Sequence, residues 1–216
     1  MTRLQSEIHR LYGTPPGEGD TAVRVLVLEL ARPADWPRLA QVWQGVQADL
    51  GWPAPAIAVN GVDGYQLWFS LAQPLPPAEA QHQLDQLCGR YLADIAPERL
   101  RLIAGNPPTT PRQVAPDAWS AFVTSDLAAV FADTPWLDLP PGEDAQAELL
   151  GRLSPIPAQD LLALLAAPKA PAAPATKAAP APRASDDEAR QFLLSVMRDP
   201  AVELALRIDA AKALLR

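Results

Sequence analysis

A set of polar and aromatic residues in the first half of the sequence could contact an anionic or aromatic ligand. Arginine can bind phosphate or carboxylate groups through two parallel hydrogen bonds, and tryptophan offers a flat surface on which a nucleobase can stack. The alternation of side chains along the predicted strands puts these residues on one sheet surface. This candidate site comprises Glu29, Gln66, Trp68, Arg99, Arg101 and, at its edge, Asn106. We predict nucleotide or nucleic-acid binding there, with no catalytic residue and no metal ligand.

The same residues could instead be structural. A carboxylate in a central strand needs a partner because an unpaired buried charge is costly, so we expect Glu29 to meet Arg101 or Arg24. The alternative is thus a salt-bridged sheet surface capped by later helices. The net charge of the chain is −7 at pH 7, and an acidic body argues against strong non-specific binding to nucleic acid, which depends on neutralising phosphates.

The elements that would position these residues follow one another in an informative order. A continuous apolar run, TAVRVLVLEL, predicts a buried central strand, and a helix then ends at Gly51. The strands PAIAVN and YQLWFSL flank a hairpin turn at 61–64, a helix begins at PPAEAQ, and ERLRLIA is a fourth strand. The order β-α-β-β-α-β over residues 22–104 predicts an α+β fold with a ferredoxin-like, or RRM-like, core.

Such a core packs both helices against one face of the sheet. Tyr65, Leu67 and Phe69 share one parity and should meet the helices, whereas Gln66 and Trp68 should face the other side. Residues 105–119 are predicted to form a proline-rich loop. Short helices between 124 and 166 could pack around the sheet or cover its open face.

The chain divides into three predicted parts. Residues 1–166 form the α+β domain, residues 167–184 an extended Ala/Pro-rich linker, and residues 185–216 a hairpin of two helices. A hairpin of that size cannot hold a core alone, so its apolar side should dock on the domain, on a second copy or on another protein. The residues expected at that contact are Phe192, Val196, Met197 and Leu206.

Composition excludes several classes of protein. No apolar run approaches the length of a membrane span, and the N-terminus does not have the pattern of a signal peptide, so we expect a cytoplasmic protein without membrane contacts. One cysteine and two histidines exclude cysteine-rich zinc sites. No cofactor is predicted.

The hairpin and the segment after it carry a resemblance to a known family. VNGVDGYQLWFSLAQPLP and RLRLIAGNPPTTPR resemble motif regions of the archaeo-eukaryotic primase superfamily, over residues 22–107. In that family a histidine on the hairpin strand and acids one residue apart on the first strand form the active site, and the acids hold two metal ions. The resemblance also places Asp94 near a third-motif acid.

The departures from that pattern imply a silent site. Glu29 stands alone, because its same-face neighbours Val27 and Ala31 are apolar, and Gln66 replaces the histidine. An amide forms hydrogen bonds but does not transfer a proton at neutral pH. The resemblance therefore implies a primase-like domain without polymerase activity.

The C-terminal sequence FLLSVMRDPAVELALRIDAAKALLR resembles helical segments of phage DNA-packaging proteins of the terminase small-subunit type. Together the two resemblances suggest a non-catalytic primase-like module in DNA replication or packaging of a phage or mobile element. It would bind nucleotide, nucleic acid or a partner through the sheet. A protein–protein adaptor with a purely structural sheet is the alternative, and a residual enzyme using Glu29, Asp94 and one metal ion is the third hypothesis.

Overall fold

A computed structural model describes residues 1–13 and 22–161 of the chain. Contacts between Cα atoms divide the chain into two units, Met1–Ala172 and Ala173–Arg216. The predicted linker and helical hairpin, with the proposed contact residues Phe192, Val196, Met197 and Leu206, lie outside the described residues and stay predictions.

The described residues form a mixed helix and strand structure, which confirms the predicted α+β class. The helices are α1 (Arg3–Tyr12), α2 (Trp36–Leu50), α3 (Pro77–Tyr91), α4 (Ser125–Ala128) and α5 (Glu143–Gly151), with 3-10 turns at Pro97–Arg99 and Ala129–Phe131. The strands are β1 (Val23–Ala31), β2 (Ala56–Val59), β3 (Gly64–Leu75), β4 (Leu100–Ala104), β5 (Arg112–Ala115) and β6 (Ala118–Val123).

The strands lie in the order β4-β1-β3-β2-β6-β5, and every neighbouring pair is antiparallel. The central strand β1 places Glu29 opposite Gln66 of β3 on one side and opposite Arg101 of β4 on the other. These three residues therefore form one row across the sheet, because opposite residues of antiparallel strands point to the same face.

The hairpin β5–β6 extends the sheet beyond β2, so the loop predicted over residues 105–119 is wrong from Arg112 onward. Arg112–Ala115 pairs with β6, and β6 pairs with β2. Proline removes a donor from a strand only where it lies within it. Here Pro111 and Pro116 lie just outside β5, where they leave its pairing with β6 intact.

One face of the sheet packs against α2 and α3, and we call it the α2/α3 face. Tyr65, Leu67 and Phe69 are fully or almost fully buried there, as the alternation of side chains predicted. The helix α2 begins where the Asp35 side chain accepts a hydrogen bond from the backbone of Arg38 at 3.1 Å, and it ends at Gly51 in the left-handed conformation.

The opposite face is covered by α1 and α5, and we call it the α1/α5 face. The helix α1 begins with a capping box formed by Thr2 and Gln5 and buries Leu4, Leu11 and Tyr12. Its Arg10 guanidinium donates to the carbonyl oxygens of Leu150 at 2.9 Å and Leu153 at 3.1 Å, which joins α1 to the end of α5. The sequence predicted that helices after the sheet could cover its open face, as α5 does. It did not predict that α1 covers the same face.

No helix within residues 1–13 and 22–161 is long and apolar enough to cross a membrane.

Candidate functional site

The turn between β2 and β3 sets the position of Gln66 in the sheet. The side-chain oxygen of Asn60 accepts hydrogen bonds from the backbone N–H groups of Val62, Asp63 and Gly64, at 2.9, 2.9 and 3.0 Å. Gly61 has φ of +84°, and an added Cβ there would lie 2.9 Å from the backbone nitrogen of Ser120. This short turn was predicted from its glycines, and it brings Gln66 opposite Ala58 of β2.

Glu29, Gln66 and Trp68 form a continuous chain of hydrogen bonds on the α1/α5 face. The Nε2 of Gln66 donates to Glu29 Oε2 at 2.5 Å, and the indole Nε1 of Trp68 donates to Gln66 Oε1 at 2.9 Å. The amide of Gln66 thus donates at one end and accepts at the other, so the polar groups of the chain are bonded to one another.

Aromatic rings close this chain off from solvent. The Trp68 ring lies 5.3 Å from the ring of Tyr12 on α1 and 5.2 Å from the ring of Phe122 on β6, measured between centroids. Trp68 is 3% exposed and Gln66 is 2% exposed. A nucleobase cannot stack on Trp68 in this arrangement unless Tyr12 moves away.

Glu29 has a different partner from the one expected. Arg101 is opposite Glu29 in the register, but the ion pairs of the described residues do not include these two groups. Arg24 donates instead to the carbonyl oxygen of Ala72 at 3.3 Å. The prediction that Glu29 meets Arg101 or Arg24 is therefore wrong, because the neutral amide of Gln66 lies nearer to the carboxylate than either cation.

Arg99 is not on the sheet surface where the alternation of side chains placed it. Arg99 is the last residue of the 3-10 turn Pro97–Arg99. The alternation of side chains between the two sheet faces begins with β4 and therefore does not apply to it. Its guanidinium donates to Pro33 O at 2.9 Å and Ala31 O at 3.4 Å, and lies 3.6 Å from the carboxylate of Asp35. Arg99 therefore ties the end of β1 to the start of α2.

Arg101 and Asn106 are the members of the candidate site that are exposed to solvent. Arg101 lies on the edge strand β4, and Asn106 follows the same strand in a bend. These two side chains are accessible to a ligand, whereas Glu29, Gln66 and Trp68 are buried. The structure therefore separates the candidate site into a buried part and an exposed part.

Asp94 is separated from Glu29 by the sheet. It forms an ion pair with Arg38 of α2, which packs on the α2/α3 face, whereas Glu29 points to the α1/α5 face. The third hypothesis, a residual one-metal enzyme built on Glu29 and Asp94, therefore has no common site in this structure. The described residues contain no group of three or more His, Cys, Asp or Glu side chains that could hold a metal ion.

Two further polar residues in this region were not predicted. Gln146 of α5 accepts from the backbone N–H of Phe122 at 2.8 Å and donates to its carbonyl oxygen at 2.9 Å, which attaches α5 to β6. The hydroxyl of Tyr12 is buried and has no hydrogen-bond partner among residues 1–13 and 22–161, and burial raises the pKa of Tyr12. The amphipathic pattern of residues 3–12 could have shown that Tyr12 belongs to a buried face, but no sequence signal marks Gln146.

Fold and geometry together define an α+β protein in which the buried Glu29, Gln66 and Trp68 are joined by hydrogen bonds. No model of a known protein family matches the chain, and no curated protein matches it. The resemblance to archaeo-eukaryotic primases therefore stays a prediction that rests on the motifs themselves.

Proposed function

We propose that this chain is a non-catalytic, primase-like module that acts as a protein–protein adaptor in the cytoplasm, in DNA replication or packaging of a phage or mobile element. One observation carries the choice of an adaptor over a nucleotide-binding module. Gln66 and Trp68, the residues expected to meet a ligand, are bonded within the protein and lie beneath α1 and α5. The sheet then has a structural role, and the binding function belongs elsewhere on the chain.

The primase-like part of the proposal includes a ferredoxin-like arrangement of residues 23–104. The strand order β4-β1-β3-β2 and the antiparallel pairing of these strands support it. Both connecting helices, α2 and α3, pack on the same face, which such a split unit requires.

The chemistry of the polar chain supports the non-catalytic part of the proposal. Two-metal nucleotidyl transfer needs carboxylates that share the metal ions, but the row of Glu29 continues with Gln66 and Arg101. The Glu29 carboxylate already accepts a hydrogen bond from Gln66. A magnesium ion bound to Glu29 would find no second carboxylate in the row.

The adaptor function is assigned to residues 185–216, on the sequence argument alone. An apolar hairpin too small to hold a core is expected to bury its surface against a partner. Residues 167–184, rich in alanine and proline, are the predicted linker that precedes it.

The test measures primer extension, DNA binding and retention of a partner protein by the full-length chain. We expect no primer extension with Mg²⁺ or Mn²⁺ and no change in the anisotropy of labelled single-stranded DNA. Immobilised full-length protein should retain a defined replication or packaging protein from cells that carry the element. Phe192→Asp and Met197→Asp should abolish that retention, whereas the matched control Gln191→Asp should preserve it. Primer extension, or retention that is indifferent to all three substitutions, would contradict the proposal.

Binding of nucleic acid at the domain edge is a second candidate, supported by the exposure of Arg101 and Asn106. It requires single-stranded DNA to bind the parent protein and Arg101→Ala to weaken that binding. Trp68→Phe is the matched control, because a buried ring should not affect a contact at the edge. Absence of DNA binding by the parent protein would exclude this candidate.

A further inference from the structure

The two edges of the sheet differ in how well they are protected against pairing with another strand. The edge strand β5 lies between Pro111 and Pro116, and its pairing with β6 has an irregularity between Gln113 and Ala115. Prolines, bulges and charges are devices that hinder edge-to-edge association. The other edge strand, β4, is free of proline, pairs with β1 in continuous register, and carries one charge, that of Arg101.

The direction of the backbone groups of β4 follows from one hydrogen bond. The N–H of Gly105 donates to Val25 O of β1 at 3.2 Å. In an antiparallel pair, residues alternate between bonding inward and pointing outward, so Ile103 and Arg101 also bond to β1. The backbone groups of Leu100, Leu102 and Ala104 therefore point away from the sheet.

Most of these outward groups are available for a further strand. The N–H of Leu100 donates to Pro97 O and so is already used. The carbonyl oxygen of Leu100, both backbone groups of Leu102 and the N–H of Ala104 take no part in the turn and loop hydrogen bonds of the described residues. Leu100, Leu102 and Ala104 are half-buried, with side chains that pack on the α2/α3 face.

The order of these donors and acceptors is self-complementary. We propose that β4 pairs antiparallel with β4 of a second copy of this chain, about a twofold axis at Leu102. Leu102 would exchange hydrogen bonds with Leu102 of the second copy. In each copy, the N–H of Ala104 would donate to the carbonyl oxygen of Leu100 of the other copy. The N–H of Leu100, which already donates to Pro97 O, is not required.

The side chains are compatible with the same register. Arg101 of one copy lies opposite Ile103 of the other, on the α1/α5 face, so the two arginines do not oppose each other. On the α2/α3 face, the half-buried Leu102 meets Leu102 of the second copy and Leu100 meets its Ala104. These side chains lose exposed apolar surface, which favours association. A second copy of β4 matches both the hydrogen-bonding groups and the side chains of this strand. Because β4 has five residues, we expect the contact to be weak.

The test compares two substitutions of opposite charge at Ile103 in the full-length chain. Both remove the same apolar side chain, but Ile103→Lys places a cation opposite Arg101 of the second copy and Ile103→Glu places an anion there. Sedimentation velocity over a range of protein concentrations should show a dimer of the parent protein. The dissociation constants of the two variants should differ by about tenfold, with Ile103→Lys the weaker.

Hydrogen exchange locates the contact. Raising the protein concentration should slow exchange at the amides of Leu102 and Ala104, and leave Arg101 and Ile103 unchanged because their amides already bond to β1. Thermal unfolding, followed by circular dichroism, verifies that both variants remain folded.

A parent protein that stays monomeric at all concentrations would overturn the proposal. A dimer that both variants weaken equally would also overturn it. The same holds for a dimer whose formation leaves hydrogen exchange at the Leu102 and Ala104 amides unchanged, which is the result expected if residues 185–216 hold the copies together. The proposal goes beyond the adaptor function and does not depend on it, since loss of partner retention in the Phe192 variant leaves the β4 contact untouched.

Discussion

Gln66 donates a hydrogen bond to Glu29 across the two central strands of the sheet, at 2.5 Å between Nε2 and Oε2. The same amide accepts a hydrogen bond from Trp68. Glutamine can do both because its side chain carries a donor and an acceptor. Gln66 is thus a structural link between a carboxylate and an indole.

Gln66→Glu should lower the free energy of unfolding by about 2–4 kcal/mol at neutral pH, because it places a second carboxylate against Glu29 in a buried position. The neighbouring charge should raise the pKa of the introduced carboxyl above its ordinary value. The folded variant then binds a proton that the unfolded chain releases, so the loss of stability should shrink as the pH falls below that raised pKa. Urea unfolding at neutral and acidic pH measures both effects.

Gln66→Met is the matched control, since it removes both hydrogen bonds and adds no charge. It should cost about 1–3 kcal/mol, with a weaker dependence on pH. Identical pH profiles for the two variants would show that position 66 does not face the Glu29 carboxylate.

Tyr12 and Tyr65 should respond in opposite directions to the loss of their hydroxyl groups. Tyr65 donates to Ala128 O at 2.6 Å, so Tyr65→Phe should cost about 0.5–1.5 kcal/mol. The Tyr12 hydroxyl is buried and unpartnered within the described residues, so Tyr12→Phe should be neutral or stabilise the protein by about 1 kcal/mol. Chemical denaturation of both variants tests the pair, and a clear destabilisation by Tyr12→Phe would refute the assignment of an unpaired hydroxyl.

Alkaline pH should destabilise the protein partly through Tyr65. Burial, assisted by the carboxylate of Asp133, raises the pKa of Tyr65 to about 12. An unfolded tyrosine ionises near pH 10, so between about pH 10 and pH 12 the unfolded chain releases a proton that the folded protein keeps, and stability falls as pH rises. The parent protein should lose more stability over this interval than Tyr65→Phe does, and equal losses would contradict the shift.

Cys88 should be slow to react although it is the single cysteine of the chain. Burial, with a further contribution from Asp85, raises the pKa of its thiol to about 12. Because the thiolate is the reactive form, alkylation by iodoacetamide near pH 8.5 should be at least about a hundredfold slower in the folded protein than in urea. Mass spectrometry gives both rates, and similar rates in the two states would be evidence against a buried thiol.

Arg99 and Arg101 should differ in their effect on stability although they are two residues apart. Arg99→Ala removes hydrogen bonds to Pro33 and an ion pair with Asp35, and should lower the free energy of unfolding by about 1–2 kcal/mol. Arg101→Ala alters an exposed side chain without a described partner and should change it by less than about 0.5 kcal/mol. Urea unfolding at low protein concentration, where dimers do not contribute, compares them, and equal costs would be inconsistent with the structure.

Short sequence patterns correctly predicted the features that depend on a single strand, helix or turn. The apolar run of β1, the Gly51 end of α2 and the glycine-rich turn before Gly64 are visible in short stretches of sequence, and the structure has these elements at the expected places. The parity of Tyr65 and Leu67 toward α2 and α3 was also predicted, because side chains alternate strictly along a strand.

The wrong predictions concern β5 and Arg99, whose structure depends on a neighbouring strand or turn. The strand β5 was predicted as a loop because its prolines were read without the partner strand β6 that it pairs with. Arg99 was placed on the sheet because the predicted strand began at Glu98, two residues before β4, within the turn Pro97–Arg99.

The amino-acid sequence by itself determined that the protein is an α+β chain and which side chains of β3 share a sheet face. Only the tertiary structure decided that α1 covers Trp68, that Gln66 rather than an arginine binds Glu29, and that Asp94 is across the sheet from it. The reason is physical: alternation and capping are short-range properties of the backbone, whereas burial and hydrogen-bond partners depend on residues brought together from distant parts of the chain.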